Sequence, residues 1–325
     1  MEYLYLLTGL LLLVTGGEYL VRGGVAIAHR AKVPSLIIGM TVIAMGTSFP
    51  ELIVSLQAAI QGHTEIALGN VIGSNIVNIG LILGVSALII PLSVQRDSAR
   101  RDAPFMLACS LLLIGLMADD RLQWYEGLAM LLLFTAFTYV SIRSARKQGQ
   151  PSDTDAKPPM PLGLAIVVTL ASVGALAWGA DLLIDSACAI ARDLHVPERV
   201  ISVTLVAVGT SLPELVTSVI AAIRKEDDIA IGNIIGSNIF NVLVVLGLPA
   251  LIHPIDHCSF ESFRPDLIWM TGFALLLWLA ILPLKRRVLR HPRDGERFSK
   301  LGRASGLLMV AGYAAYLYVL FTAQA

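Results

Sequence analysis

Charge is scarce in this chain. Asp, Glu, Lys and Arg make up 15% of its 325 residues, whereas a soluble domain carries about a quarter. That excludes a water-exposed globular surface of ordinary composition. Cysteine is scarcer still: Cys109, Cys188 and Cys258 show no paired spacing, and the first two fall in apolar stretches. Neither a disulfide framework nor a cysteine metal knuckle fits that pattern. The six histidines, at positions 29, 63, 195, 253, 257 and 291, all fall at or beyond the ends of apolar segments. A buried imidazole acting as general base or transition-metal ligand is thereby removed. The formal net charge is zero, which excludes nothing, because the charges are unevenly placed.

What fills the chain is apolar. Hydrophobic residues make up 56% and the mean hydropathy is +0.74, the composition of a polytopic membrane protein. The chain runs from Met1 into four successive leucines at 10–13 with no basic cluster or small-residue cleavage site. It reads as a first spanning helix and not as a removed leader. Segments able to cross ~30 Å of hydrocarbon at about 20 residues each can be drawn at 4–28, 35–60, 66–90, 104–118, 123–142, 162–190, 200–223, 229–252, 266–284 and 301–322. The expected fold is therefore an all-α polytopic membrane protein with ten transmembrane helices. Taking alternate loops, 18 Lys and Arg residues collect on one side and 4 on the other. Basic residues in short loops stay cytoplasmic, so both termini are expected to face outward (periplasmic) from a cell inner (plasma) membrane.

A block of 58 residues occurs twice. Pro34–Pro91 aligns with Pro197–Pro254 at a constant offset of 163, with 30 identities and no gap. The shared positions include residues that lipid rejects: Gly46-Thr47-Ser48, Pro50-Glu51, Gly69-Asn70, Gly73-Ser74-Asn75 and Asn78, matched by Gly209-Thr210-Ser211, Pro213-Glu214, Gly232-Asn233, Gly236-Ser237-Asn238 and Asn241. Duplicated hydrophobic segments carrying paired polar half-sites point to a transporter whose site lies between repeats. Five helices per repeat is an odd number, so the second copy must enter the membrane in the opposite sense. Residues 1–142 form the first five-helix repeat, 143–161 a cytoplasmic linker rich in Pro, Ser and charge, and 162–325 the second repeat. The offset also pairs Glu18 with Asp181; Arg22, four residues after Glu18, can neutralise it within the helix, whereas Asp185 holds the equivalent place after Asp181.

In GTSFPE, Pro50 cannot donate to the carbonyl four residues earlier, which frees oxygens near Gly46 and Thr47. At helical spacing Ala44, Thr47, Ser48, Glu51 and Ser55 share one broad face. GTSLPE repeats this arrangement at Gly209–Glu214, while Asn70, Ser74 and Asn78, and likewise Asn233, Ser237 and Asn241, recur at four-residue spacing. Oxygen-rich faces of this kind suit a hard cation: Ca²⁺ takes about 6 to 8 oxygen ligands, and two glutamates match the charge of one Ca²⁺ or two Na⁺. A glutamate inside a membrane is functional by default. The glycines at four-residue spacing serve close helix packing, while Asn70, Asn75, Asn233 and Asn238 fit either ligation or interhelical hydrogen bonding. A hydrolase using a serine of GTS with a glutamate base is the alternative from another class. Both motif copies are intact and neither has a histidine or lysine within reach, whereas an enzyme needs one centre. No catalytic residue is therefore expected.

GTSxPE and GNxxGSNIxN, each present twice, resemble the two alpha repeats of the cation/calcium exchanger superfamily, the sodium/calcium exchangers, over nearly the whole chain. The resemblance implies a core of helices two, three, seven and eight, across which helices one and six slide in alternating access. It implies a central Ca²⁺ held by the carboxylates of Glu51 and Glu214 and the carbonyls of Thr47 and Thr210. Flanking Na⁺ sites would use Ala44, Thr47, Ser48 and Ser74 on one side and Ala207, Thr210, Ser211 and Ser237 on the other, with Asn78 and Asn241 lining the middle. Many members carry an aspartate where this chain has Asn241, which keeps an oxygen, drops a titratable charge and makes the pocket less anionic. The expected activity is exchange of Ca²⁺ for Na⁺, the alternative being a proton-coupled Ca²⁺ antiporter or an exchanger of another cation. Calcium and sodium ions and the lipid bilayer are the expected partners, without nucleic acid or a resident cofactor, and the monomer is the expected functional unit.

Overall fold

The computed structural model describes residues 1–147, 160–194, 209–255, 260–283, 289–291 and 295–323. Among them, eight helices are long and apolar enough to cross a membrane, or nine when one bent pair counts as a single span. In chain order these are α1 (Glu2–Ala31), the bent pair α2 (Ser35–Thr47) and α3 (Phe49–Ile60), α4 (Thr64–Ile89), α5 (Ser98–Asp119), α6 (Trp124–Lys147) and α7 (Leu162–Asp193). After the shorter apolar α8 (Leu212–Ile223) come α9 (Asp227–Ile252), α10 (Phe260–Ile281) and α11 (Arg303–Ala323). The protein is thus a helical polytopic membrane protein. The seventh span expected at 200–223 is described only from Gly209 onward, and most of the expected linker also lies outside the described residues.

Three expected boundaries move, each for a reason that hydropathy hides. Helix α5 starts at Ser98, six residues before the expected span, in a π-helical turn whose Arg101 pairs with Asp97 (3.6 Å) and Asp102 (2.6 Å). Helix α10 likewise starts at Phe260 and not at 266, its charges Glu261 and Arg264 lying one turn apart and paired at 3.5 Å. Helix α6 continues to Lys147, five residues into the segment expected to be linker. The fold is also not purely α. Strand β1 (Leu92–Val94) pairs antiparallel with β4 (Ser299–Leu301), and β2 (Leu289–His291) pairs with β3 (Gly295–Arg297). Backbone groups leaving the helix ends satisfy one another in these short ribbons.

Helices α4 and α9 form the centre. In α9, 83% of the most apolar window is buried and in α4 72%, against 17% in α6 and α11. The latter two turn Leu132, Tyr139, Leu307 and Tyr318 outward, the apolar face that lipid covers. Helices α1 and α7, at 30 and 32 residues, exceed what ~30 Å of hydrocarbon needs and must tilt to fit. They run antiparallel in close contact: a Cβ at Gly9 would stand 2.8 Å from the Gly179 carbonyl, and one at Gly16 would stand 3.2 Å from the Ser172 carbonyl. The offset of 163 carries Gly9 onto Ser172 and Gly16 onto Gly179, so the two contacts are images of each other. A similar relation holds at the centre. Gly84 of α4 meets Gly306 of α11, and its repeat mate Gly247 of α9 meets Gly127 of α6.

Small residues let helix backbones approach where lipid provides no hydrophobic drive to associate. At Gly127 a Cβ would lie 2.5 Å from the Gly247 carbonyl and 2.8 Å from the Leu251 nitrogen, both backbone atoms, whereas one at Gly115 meets nothing within 4 Å. Gly127→Ala is expected to destabilise the fold by about 1–3 kcal/mol, and Gly115→Ala to leave stability unchanged or slightly raised. The thermal unfolding midpoints of the two variants in detergent check this.

Candidate cation site

The proline of the first duplicated motif breaks its span instead of merely bending it. Helix α2 ends at Thr47, Ser48 takes φ −86°, ψ 11°, and α3 restarts at Phe49 at an angle of 48°. Pro50 thereby falls in the first turn of a new helix, where its missing N–H costs nothing. Ser211 adopts nearly the same conformation (φ −90°, ψ 9°) before α8, with Pro213 in the first turn. Two consequences follow for electrostatics. Glu51 and Glu214 both sit in the first turn of a helix, where the positive end of the macrodipole favours a carboxylate. The carbonyls at the end of α2 point the opposite, cation-attracting pole toward the same break.

The glutamates are buried, at 1% and 0% exposure, and each is held by the other repeat. Ser48 Oγ donates to Glu214 Oε1 at 2.7 Å, and Ser211 Oγ donates to Glu51 Oε1 at 3.4 Å. Because each serine precedes its own glutamate by three residues, the exchange brings the two carboxylates into the same neighbourhood. The Oε2 of each carboxylate has no aligned hydrogen bond among the described residues, although the Thr47 and Ser237 hydroxyls stand close to Glu214. No basic side chain is hydrogen-bonded to either glutamate among the described residues. Two adjacent carboxylates with spare oxygens and no basic partner among the described residues are the candidate site for a cation.

A ring of amides supports this pair. Asn70 Nδ2 donates to the Glu51 carbonyl (3.0 Å) and to Ser55 Oγ (2.9 Å), and its repeat mate Asn233 donates to Ser218 Oγ (3.0 Å). Across the repeats, the Thr47 hydroxyl lies 3.1 Å from Asn233 Oδ1 and 3.3 Å from the Ala44 carbonyl, its one proton shared between them. Asn75 Nδ2 donates to the Asn238 carbonyl at 3.3 Å. Asn70, Asn75 and Asn233 thus make interhelical hydrogen bonds, whereas Asn238 Nδ2 donates to the Ile234 carbonyl of its own helix (2.7 Å).

The remaining expected ligands distribute as follows. Ala44 is fully buried, and its carbonyl also accepts the Ser48 N–H (3.0 Å). Ser74 and Ser237 are buried on α4 and α9, one turn before Asn78 and Asn241, where both helices pass into π-helical turns (Asn78–Leu83 and Asn241–Leu246). Such wide turns occur often at functional sites. Both amide atoms of Asn78, and Oδ1 of Asn241, are buried without a hydrogen-bond partner among the described residues. Thr210 is half-buried at the start of the described second motif, and Ala207 lies outside the described residues.

Glu18 has a partner that spacing does not reveal. Besides Arg22 at 2.7 Å on its own helix, it pairs with Arg224 just past the end of α8. Residues 18 and 224 are far apart in sequence, so only the packing of α1 against α8 unites them. The repeat mates of Glu18 and Arg22 are Asp181 and Asp185, both exposed and without a salt bridge among the described residues.

Three comparisons bear on what this arrangement is. The model of the family described as sodium/calcium exchanger protein matches residues 1–143 and 164–322. The chain is 36% identical over 327 residues to inner membrane protein YrbG of Escherichia coli (strain K12), covering 97% of this chain and 95% of that protein. It is 32% identical over 359 residues to sodium/calcium exchanger MaX1 of Methanosarcina acetivorans, covering 98% of each. The fold superposes on the solved sodium-calcium exchanger NCX_Mj, soaked with Na⁺ and Ca²⁺, with a TM-score of 0.80 at 31% identity and 98% coverage of both chains.

A hydrogen bond to a charged group contributes about 1.5–3 kcal/mol, and a buried acceptor left without its donor costs its desolvation. Ser48→Ala is therefore expected to lower the stability of chelator-treated protein by about that amount. Ser211→Ala, which removes a contact of 3.4 Å against 2.7 Å, is expected to cost less. The order of the two thermal midpoints, measured in EDTA at low sodium, tests the geometry.

Proposed function

This chain belongs to the sodium/calcium exchanger family, and we propose that within it the chain exchanges Ca²⁺ for Na⁺ across the inner membrane by alternating access. The reciprocal bonds Ser48 to Glu214 and Ser211 to Glu51 carry the proposal, because they build one buried dianionic centre from both copies of the motif. A Ca²⁺ ion would take the free Oε2 atoms of both glutamates, with the backbone carbonyls of Thr47 and Thr210 beside them. Sodium ions would use the flanking groups: Ala44, Thr47, Ser48 and Ser74 in the first repeat, and Ala207, Thr210, Ser211 and Ser237 in the second. Asn78 and Asn241 complete the middle with neutral oxygens.

Coupling follows from charge. Two buried carboxylates without a cation carry a large desolvation cost, and either one Ca²⁺ or two Na⁺ relieves it. Both ions need the same pair of glutamates, so they compete for it. Only the loaded and electrically compensated site crosses between states that open to opposite sides.

In this proposal the chain is two inverted five-helix repeats making ten spans, 1–142 and 162–325, joined by a cytoplasmic linker at 143–161, with both termini outside and one chain as the functional unit. The antiparallel contact of α1 with α7, the image contacts Gly84 with Gly306 and Gly247 with Gly127, and the matched breaks at Ser48 and Ser211 all support an inverted relation. The name of the Escherichia coli relative, an inner membrane protein, supports the location.

Glu51→Gln and Glu214→Gln are each expected to abolish sodium-gradient-driven uptake of radiolabelled calcium into everted vesicles, since either leaves one charge where Ca²⁺ needs two. Normal uptake by either variant overturns the proposal. Uptake driven by a pH gradient in sodium-free medium would replace sodium with protons as the coupling ion.

A further inference from the structure

The two asparagines in the middle of the candidate site occupy equivalent places in the repeats, yet their surroundings differ. An amide's nitrogen and oxygen ends cannot be told apart by shape, so orientation has to come from what each end touches. Asn75 supplies that information. One end of its amide lies 3.3 Å from the Asn238 carbonyl oxygen and 3.7 Å from Met270 Sδ. A carbonyl oxygen and a thioether sulfur can only accept, so this end is the NH2 group and the other end is the oxygen. The Asn75 oxygen in turn can only accept, so the Asn241 atom 3.1 Å from it must be Nδ2. Asn241 Oδ1 is thereby turned away from Asn75, fully buried and without a partner among the described residues. It stands on α9 one turn beyond Ser237, whose hydroxyl lies close to the Glu214 carboxylate.

The mirror arrangement is missing. Asn238 Nδ2 donates to the Ile234 carbonyl of its own helix at 2.7 Å, and neither amide atom of Asn78 has a partner among the described residues. Among the described residues, one middle asparagine is oriented by a hydrogen bond and the other is not.

From this chain of donors and acceptors we infer that Asn75 is a positioning residue for ion exchange: it fixes the rotamer in which Asn241 offers its oxygen, not its NH2, to the transported cation. The inference rests on the proposed function, in which Asn241 faces the ions. It also gives position 75 a part in specificity. An aspartate at 241 would set a carboxylate oxygen against the Asn75 oxygen, two acceptors at hydrogen-bond distance. Turning Asn75 over would relieve that contact only by placing its oxygen against the Asn238 carbonyl. Asn75 thus favours an amide over an ionised carboxylate at 241.

The test is a cycle of variants in proteoliposomes, read as initial rates of sodium-gradient-driven radiolabelled calcium uptake. Asn75→Ala is expected to raise the KM for calcium about tenfold, the equivalent of ~1.4 kcal/mol, with kcat little changed, because Asn241 then presents either end. Asn241→Asp alone is expected to impair transport through the clash of acceptors. The double variant is expected to transport better than either single one, since a carboxylate offers an oxygen whichever way it turns and no longer meets Asn75. A loss of packing alone would not produce such mutual rescue. If the two substitutions simply multiply, the inference is overturned while the proposed function stands. If Asn241→Ala transports normally, Asn241 is no ligand, and the inference falls with that assignment. If Glu51→Gln transports normally, the proposed function itself has failed.

Discussion

Two carboxylates buried side by side repel each other and have lost their water, and almost everything else in this structure answers to that pair. Each is compensated in two ways: by the serine of the opposite repeat and by the positive end of the helix it begins. Neither contributes a full positive charge. The pair is therefore not neutralised by the described groups around it, which is the condition a cation-binding centre needs.

The same requirement explains the backbone. A continuous helix would present its carbonyls only to its own amides. Breaking α2 from α3 at Ser48 exposes one helix end that attracts cations and another that steadies an anion, within a few residues of each other. Proline is tolerated because it sits in the first turn of α3, and glycine packing elsewhere, such as Gly236 of α9 against the Met40 backbone of α2, brings the central helices close enough to bury the break.

Much of this was legible in the sequence, and the reasons are local. A glutamate after a proline in an apolar stretch, repeated at a fixed offset, announces both the break and the charge. The spans are readable wherever hydropathy alone decides; the helices beginning at Ser98 and Phe260 start earlier than the apolar run because charged side chains pair along them, and α6 runs on to Lys147. What could not be read was any contact between distant segments. Nothing near Glu18 points to Arg224, and nothing in the duplicated motif says that Asn75 reaches Asn241 while Asn238 turns back on its own helix. A duplication predicts symmetry; departures from it arise only from packing.

The two arginines on Glu18 differ in one respect that matters for any motion of α1. Arg22 rides on the same helix, whereas Arg224 is anchored at the end of α8. An axial shift of α1 by one helical turn, ~5.4 Å, would tear Glu18 from Arg224 and leave it joined to Arg22. In such a shift the acid would carry its own counter-ion along and would not move as a bare charge.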